Sequence, residues 1–439
     1  MDIARVVSNE NIKGTSRSKG LIASIILMIL LLSMRDIGGM AVNKYLFLII
    51  TAAVVFVLPI DKVMCFIAFV MPLYVGLPGN YMTLIFLARF LFDYRKLRMK
   101  ATTFTFCMLA GGFALVQAVL TNHTGISELI FFPGMVLVMF MFSVDAKMNK
   151  SQLILSYVTG VAALGLIMLI HTLQFCDFGD LLISTSRLGS ILRAKNFEMV
   201  VNVDPNYYGL FCIAAVSSAI NHLNANAKEE TNKLTKFLII IMLAICVTVS
   251  LIGLSRAFIL VAIAWLIFYL LSAKKIKTSI ITLFSLFLVI VLINLLMPSV
   301  FTALIERFTD DTMSTGNGRT ELIYSYHQQW AENIFTILFG SGIFDCEVHC
   351  MPLQMLYGGG IVFAILYLSY LLSPAKNIDF KKNGGALQTL LPLLATILMS
   401  CSVPALQLIN IMYPIIFTEL YINENRSNEP INRNSGVIK

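Results

Sequence analysis

The chain has 439 residues, of which 58% are hydrophobic and only 13% are charged. A soluble protein of this length is about one quarter charged, so this composition excludes an ordinary soluble globular protein. The formal net charge is +8, but the Lys and Arg residues lie in short segments between apolar runs. They form no basic stripe with interleaved aromatic residues, which argues against a nucleic-acid partner.

Apolar runs of about 20 residues recur along the chain, and this is the length that crosses a bilayer as an α-helix. The runs are continuous rather than alternating, and inside a bilayer only helices or a closed barrel satisfy the backbone. We therefore predict an all-α, polytopic membrane bundle of about 12 to 14 transmembrane helices. The predicted spans lie near 21–34, 43–60, 63–78, 80–92, 101–120, 127–144, 152–172, 204–222, 236–252, 256–272, 278–298, 350–373, 386–402 and 404–421.

The first 20 residues are basic and precede an apolar run that begins at Leu21. This order resembles a signal peptide, but no small-residue cleavage site follows the run, so we predict a retained first span. The predicted organisation is a cytoplasmic tail at 1–20, a transmembrane bundle at 21–422 and a second cytoplasmic tail at 423–439.

The distribution of cations sets the predicted orientation. Of the 32 Lys and Arg residues, 23 fall on one side of the predicted bundle and 8 on the other, and Arg89 falls within a span. The positive-inside rule puts the 23 in the cytoplasm, with both termini inside. Two long loops, at about 173–203 and 299–349, then lie outside and hold five of the eight outer cations. Long loops between spans are uncommon and are often functional, so we expect a site there.

The first outer loop carries Arg187, Arg193 and Lys195 within nine residues. Arginine binds phosphate well because its planar fork donates two parallel hydrogen bonds. The same residues could instead anchor the loop to anionic lipid headgroups. Both interpretations remain open from the local sequence.

The next span opens with Asp204-Pro205-Asn206-Tyr207. Asp caps helices, Pro fits the first helical position, and Tyr suits a membrane interface, so a purely structural role explains each residue. The alternative is that Asp204 faces a site that the neighbouring cations share.

Two further arginines are predicted at helix starts. Arg256 follows a tight outer hairpin at 253–255, where it could anchor to headgroups or point into the bundle. Arg319 follows a Gly-Asn-Gly turn and opens a helix whose apolar face ends at Trp330. We predict that this helix is amphipathic and lies on the outer membrane surface, with His327 as a solvated interface residue.

The second outer loop ends at His349, next to Cys350, where another span begins. A lone His in a loop is usually structural or solvated, and three ligands spaced like Cys346, His349 and Cys350 match no zinc pattern. A disulfide between Cys346 and Cys176 is possible on sequence grounds. The chain contains no Walker motif, no dinucleotide-binding glycine fingerprint and no zinc-protease motif.

Taken in order, these elements resemble the O-antigen polymerase and ligase superfamily of bacterial envelope glycan enzymes. The resemblance covers about 187–372, and the N-terminal spans match only as generic membrane helices. The family often has Asn after its last His, whereas this chain has Cys350. The residues that carry the resemblance are Asp204, Asn206, Ser255, Arg256, Gly318, Arg319, Trp330, Gly340, Gly342, His349, Gly358, Gly359 and Gly360.

The resemblance implies a multi-pass glycosyltransferase whose donor is an oligosaccharide on undecaprenyl diphosphate. A polymerase would join repeat units of O-antigen, capsule or exopolysaccharide, and a ligase would transfer the glycan to a lipid A core or wall glycan. The family pattern implies no metal and no nucleotide cofactor, with a flippase and chain-length regulators as protein partners. A polysaccharide or lipid exporter is the alternative of another class, and it would place polar residues in the middle of spans.

Breaking the sugar–phosphate bond builds negative charge on the leaving diphosphate, so the chemistry needs cations positioned in a cleft. We predict Arg256 and Arg319 as diphosphate contacts, with Arg187 and Arg193 as lesser candidates. An acceptor hydroxyl must also be deprotonated or oriented, and an imidazole has a suitable pKa range for that step. The remaining predicted site residues are His349 and Asp204 as base or orienter, and Asn206, Tyr207 and Trp330 as substrate contacts.

Overall fold

A computed structural model describes residues 2–144, 149–183, 188, 203–225, 232–253, 255–272, 319–373 and 386–408, with isolated residues between 291 and 306. It is 82% helical. Within these ranges no strand is formed, and the only strand-like pairing is one isolated bridge between Leu97 and Val144. The predicted all-α fold is confirmed.

Twelve of the fourteen principal helices in the described residues overlap predicted spans, and the other two lie within the second predicted outer loop. They are α1 (Asp2–Asp36), α2 (Lys44–Val57), α3 (Ile60–Val70), α4 (Gly79–Phe92), α5 (Ala101–Leu120), α6 (Phe131–Ser143), α7 (Lys150–Thr172), α8 (Pro205–Ala225), α9 (Lys233–Ile252), α10 (Arg256–Ser272), α11 (Arg319–Ala331), α12 (Ile334–Phe339), α13 (Met351–Leu372) and α14 (Ala386–Ser400).

Six of the described helical segments are long and apolar enough to cross a membrane, which confirms a polytopic membrane protein. Four shorter apolar helices accompany them, among them α2, α4 and the apolar part of α10. Local chemistry explains several helix limits. Pro59 follows the end of α2, and Asn43, Asn149 and Asn232 each cap the helix that follows by accepting a backbone N–H.

Helix α7 lies at the centre of the bundle. It packs against α3, α8 and α9, and 72% of its membrane-crossing window is buried, compared with 17% for the first span and 22% for α9. A Cβ at Gly160 would stand 2.2 Å from the carbonyl oxygen of Phe69, so the absence of a side chain there permits the close contact with α3. The first span and α9 therefore lie at the periphery, where apolar residues face lipid.

Hydrogen bonds between loops show which helix ends lie together. The Arg35 guanidinium donates to the Gly76 carbonyl (2.8 Å), and Gln174 donates to the Ile37 carbonyl (2.8 Å). At the opposite end, the Arg98 N–H donates to the Ser143 carbonyl (2.7 Å). These contacts follow the alternation of loops that the sequence predicts, with the described parts of the two long predicted loops at the same end as Arg35.

The structure adds detail to the predicted organisation. Helix α1 includes most of the predicted N-terminal tail and runs without interruption from Asp2 through the first span. Span 63–78 is α3 followed by a 3-10 segment at Met71–Gly76, which contains a proline and ends at a glycine. The turn at 401–404, after which helix resumes at 406, agrees with the predicted division of 386–421 into two spans. Most of the predicted spans 278–298 and 404–421 and the whole C-terminal tail lie outside the described residues.

Candidate active site at one end of the bundle

Asp204 caps the start of α8. Its Oδ1 accepts a hydrogen bond from the Asn206 N–H (2.9 Å), and its backbone carbonyl accepts the Tyr208 N–H (3.0 Å). Pro205 occupies the first helical position, where its missing N–H costs nothing. The structural role predicted for Asp204 is therefore real, and it fixes where this carboxylate stands.

The start of α10 is tied to the start of α8 by a buried hydrogen bond. The Ser255 hydroxyl donates to Asn206 Oδ1 (2.8 Å) and accepts the Phe258 N–H (3.2 Å), so Ser255 caps α10 while it holds Asn206. Ser255 is 4% exposed and Asn206 is 9% exposed. The two sequence motifs that contain Asn206 and Ser255, 49 residues apart, are thus joined by a hydrogen bond that connects the starts of α8 and α10.

Helix α11 begins at Arg319, as predicted, but its apolar face packs on protein. Ile323, Tyr326 and Trp330 contact a small core formed by Cys346, Val348 and Tyr357. The prediction that this face lies on the membrane surface is wrong for these three residues, because the loop before α13 folds back and covers them.

His327 is exposed, in keeping with the predicted solvated position, and it also borders the same aromatic group. Its ring centroid is 5.8 Å from the rings of both Trp330 and Tyr357. Trp330, a predicted substrate contact, is part of the packing between α11 and the loop. Its indole Nε1 is buried and has no hydrogen-bond partner among the residues that the structure describes.

The loop at 340–350 is held against the start of α13 by backbone contacts. The Ser341 N–H donates to the Tyr357 carbonyl (3.0 Å), and the Gly342 N–H donates to the Gly358 carbonyl (2.9 Å). Gly360 has φ +71 and breaks the helical hydrogen-bond pattern, which leaves carbonyls of the preceding π-helical turn for the loop. Both glycine motifs of the sequence therefore belong to one backbone-to-backbone contact.

Gln117, in the last turn of α5, completes this contact from the N-terminal half of the chain. Its amide Nε2 donates to the carbonyls of Phe339 and Gly358, and its Oε1 accepts the Ile343 N–H (3.0 Å). A polar side chain near the end of an apolar helix is costly unless it is paired. Here one amide satisfies three backbone groups, one each in α12, the loop and α13.

A second anchor joins the same two regions. His123, just after α5, is hydrogen-bonded to the Asp345 carboxylate. The Tyr326 hydroxyl donates to the Asp345 carbonyl (2.9 Å) and accepts the Glu347 N–H (3.1 Å). The loop that carries His349 is therefore fixed from α5 on one side and from α11 on the other.

A cavity of about 530 Å³ opens beside this loop, within the usual size range of small-molecule sites. Its polar lining includes Asp204, Glu347 and His349, and Tyr207 also borders it. The remaining walls are largely apolar. The other lining residues are Val75, Val203, Ile343, Phe344, Cys346, Gln354, Pro404, Leu406, Gln407 and Leu408.

The electrostatics of His349 connect three of the four predicted catalytic residues. Partial burial lowers the pKa of His349 below its usual value, and the positive charge of Arg319 lowers it further. The carboxylates of Asp204 and Glu347 oppose that shift. The imidazole is therefore neutral near pH 7 and can accept a proton. The two carboxylates then stabilise the imidazolium that forms.

Arg256 follows Ser255, whose hydroxyl is hydrogen-bonded to Asn206 at the start of α8. It is partly buried, and its Nε has no hydrogen-bond partner among the described residues. An unpaired guanidinium donor is unusual because burial without a partner costs free energy. Arg187 and Arg193, the two other predicted phosphate contacts, lie outside the described residues.

Several residues near the site were not predicted from the sequence, namely Glu347, Gln117, His123 and Asp345. Gln117 carried a readable signal, since it is a polar residue near the end of an apolar span. The pairing of His123 with Asp345, 222 residues apart, left no signal in the sequence, because only the fold brings the two residues together.

The cysteines are all free thiols. The possible Cys176–Cys346 disulfide is not formed, since Cys176 donates to the Thr172 carbonyl (3.5 Å) and Cys346 is buried against the backbone of Val348 and Gly358. Across the described residues, no group of three or more His, Cys, Asp or Glu side chains is placed to hold a metal ion.

Comparison with known protein families finds no family model that matches this chain, and comparison with curated proteins finds no significant match. What the site can do therefore follows from its own groups. These are a neutral imidazole, two carboxylates and a guanidinium beside a cavity with largely apolar walls.

Proposed function

We propose that this protein is a glycosyltransferase that joins oligosaccharide repeat units carried on undecaprenyl diphosphate at the outer face of the cytoplasmic membrane. The observation that carries the proposal is the meeting of His349, Asp204 and Arg319 at one end of a membrane bundle. The order of motifs along the chain, which resembles the O-antigen polymerase and ligase superfamily, supports the same assignment.

In the proposed reaction, His349 accepts the proton of an acceptor hydroxyl. The hydroxyl oxygen forms a bond to the anomeric carbon of the donor, and the bond from that carbon to the diphosphate oxygen breaks. The electron pair leaves with the diphosphate, and Arg319 stabilises the charge that develops there. Asp204 stabilises the imidazolium that forms, consistent with the direction in which it moves the pKa of His349.

Arg256 supplies a second proposed contact to the diphosphate. Its buried Nε lacks a partner within the described part of the chain, and a phosphate oxygen would satisfy it. The lipid tail of the donor suits an enzyme whose site lies at the end of membrane-crossing helices. The distribution of cations along the chain, 23 on one side and 8 on the other, supports an extracytoplasmic position for this end.

The direct test is to delete the gene, complement it with variants, and examine surface glycan lengths together with lipid-linked glycans. Arg319→Gln and His349→Ala should lose long chains and accumulate single lipid-linked repeats, with transfer slowed about 10² to 10⁴-fold. Matched controls are Arg95→Gln, an exposed arginine at the opposite end, and His327→Gln, a histidine of α11 outside the cavity. Both controls should retain long chains.

Each alternative has its own outcome. Long lipid-linked chains that never reach their acceptor would indicate a ligase of the same superfamily. Repeat units trapped inside the membrane would indicate an exporter. Undiminished polymer in His349→Ala, at normal membrane levels of the protein, would overturn the assigned role of His349.

A further inference from the structure

Helix α12 (Ile334–Phe339) exposes an apolar face, although it lies within the second predicted outer loop. Ile334 is 68% exposed and Phe335 is 70% exposed, and Phe339 on the same side of the helix is exposed as well. Large apolar side chains that adjoin one another at this exposure are unfavourable in water, and such a patch marks contact with a protein or a membrane.

Contacts with two membrane-crossing helices show the depth at which α12 lies. The Phe339 ring stacks on Phe113 of α5, with 6.4 Å between centroids, and Phe113 stacks in turn on Phe363 of α13 at 5.8 Å. Phe113 precedes the last residue of α5, Leu120, by two helical turns, or about 10 Å along the axis. The 20 residues of α5 are just long enough to cross the hydrocarbon core of a bilayer. Phe339 therefore lies within the depth of the core.

The surface of α5 that Phe339 covers is part of an apolar stripe. Leu109, Phe113 and Val116 follow one another at the spacing of a single helix face, and Leu109 and Val116 are both exposed. In a membrane-crossing helix, an exposed apolar stripe of this kind faces lipid. The exposed face of α12 thus continues a lipid-facing surface of the bundle.

The polar backbone groups at both ends of α12 are paired within the protein. Asn333 and Thr336 cap the first turn reciprocally, since Asn333 Oδ1 accepts the Thr336 N–H (3.0 Å) and the Thr336 hydroxyl accepts the Asn333 N–H (3.3 Å). At the other end, the Gly340 N–H donates to the Thr336 carbonyl (2.8 Å), and the Gln117 amide donates to the Phe339 carbonyl. Lipid tails offer no hydrogen bonds, so a short helix beside them needs this pairing.

We propose that α12 is inserted among the acyl chains of the leaflet at the cavity end of the bundle, with the bilayer as the partner of its exposed face. The lipid contact of the second outer loop is then made by α12, whereas the apolar face of α11 packs on protein. Because α12 leads directly into the loop at 340–350, the membrane holds one end of the segment that carries His349. This inference rests on the contacts of α12 and holds whether or not the protein transfers glycans.

The test places an added tryptophan on the exposed face of α12. Full-length Phe335→Trp is assembled into nanodiscs of phosphatidylcholine, or of phosphatidylcholine brominated on its acyl chains. The emission of the wild type, which has two tryptophans, is subtracted in each lipid. Bromine quenches tryptophan by contact, so the added residue should lose most of its emission in the brominated nanodiscs. Aqueous iodide should have little effect on it.

Tyr324→Trp is the matched control, because Tyr324 is also exposed but lies on the polar face of α11 with Glu321 and Gln328. Its added tryptophan should be quenched by iodide and not by bromine. Quenching of Phe335→Trp by iodide alone would place α12 in water and overturn the proposal. Protection of Phe335→Trp from both quenchers would show that protein covers this face, as in a dimer of the chain, and would overturn it equally.

Discussion

Arg319 and Asp204 act on the His349 imidazole with opposite sign, so two neutralising variants should move its pKa in opposite directions. Arg319→Gln removes a positive charge that disfavours the imidazolium, and the pKa of His349 should rise. Asp204→Asn removes a negative charge that favours the imidazolium, and the pKa should fall. A base must be neutral to accept a proton, so activity should fall when His349 becomes protonated at low pH. Compared with the wild type, this loss should occur at a higher pH in Arg319→Gln and at a lower pH in Asp204→Asn.

The titration of His349 can also be measured without the transfer reaction. Diethyl pyrocarbonate modifies neutral imidazole, so the pH dependence of His349 modification, mapped by mass spectrometry, reports the titration directly. His327 in the same sample is the internal control, since it is exposed and lies outside the cavity. Shifts of His349 in the same direction in both variants would show that the charges act indirectly, through a change in structure.

At the scale of elements, the contact between the 340–342 loop and the start of α13 depends on the absence of side chains. Gly340 has φ +77, and a Cβ there would stand 2.0 Å from the Gly358 carbonyl oxygen. We predict that Gly340→Ala lowers the free energy of unfolding by about 1 to 3 kcal/mol from backbone strain alone, with the steric clash adding to it.

Thermal unfolding in detergent, followed by intrinsic fluorescence, measures this effect. Gly112→Ala is the matched control, because Gly112 lies inside α5 and a Cβ at this position would meet no atom of the neighbouring described elements within 4 Å. That change should be neutral or stabilise the helix by up to about 1 kcal/mol. Equal melting temperatures for Gly340→Ala and the wild type would show that the loop contact does not limit stability.

For the molecule as a whole, orientation is the property that decides whether the site can meet lipid-linked sugars outside the cell. We predict that a membrane-impermeant maleimide labels the exposed Cys401 in spheroplasts, whose outer layers have been removed but whose inner membrane is sealed. Arg95→Cys in a Cys401→Ser background should be labelled only after the membrane is permeabilised, because residue 95 lies at the other end. The reverse pattern would place the cavity in the cytoplasm.

The fold was largely predictable, because long apolar runs and their caps are local features. The start of α8 at Pro205 and that of α11 at Arg319 follow directly from turn and cap residues. The course of the second outer loop was not predictable, because it depends on pairs such as Gln117 with Gly358 that only the packed bundle brings together. The same reason explains why the apolar face of α11 was assigned to lipid rather than to protein.

The position of Gln117 has a consequence for biosynthesis. Its amide is made 222 residues before Phe339 and 241 residues before Gly358, the carbonyls that it binds. At about 5 to 20 residues per second, the ribosome needs roughly 10 to 50 s to supply that partner. During this interval the Gln117 amide lacks both of these partners. The contact between α5 and the start of α13 can therefore form only after Gly358 has been made, so assembly of the site is a late event in the life of the nascent chain.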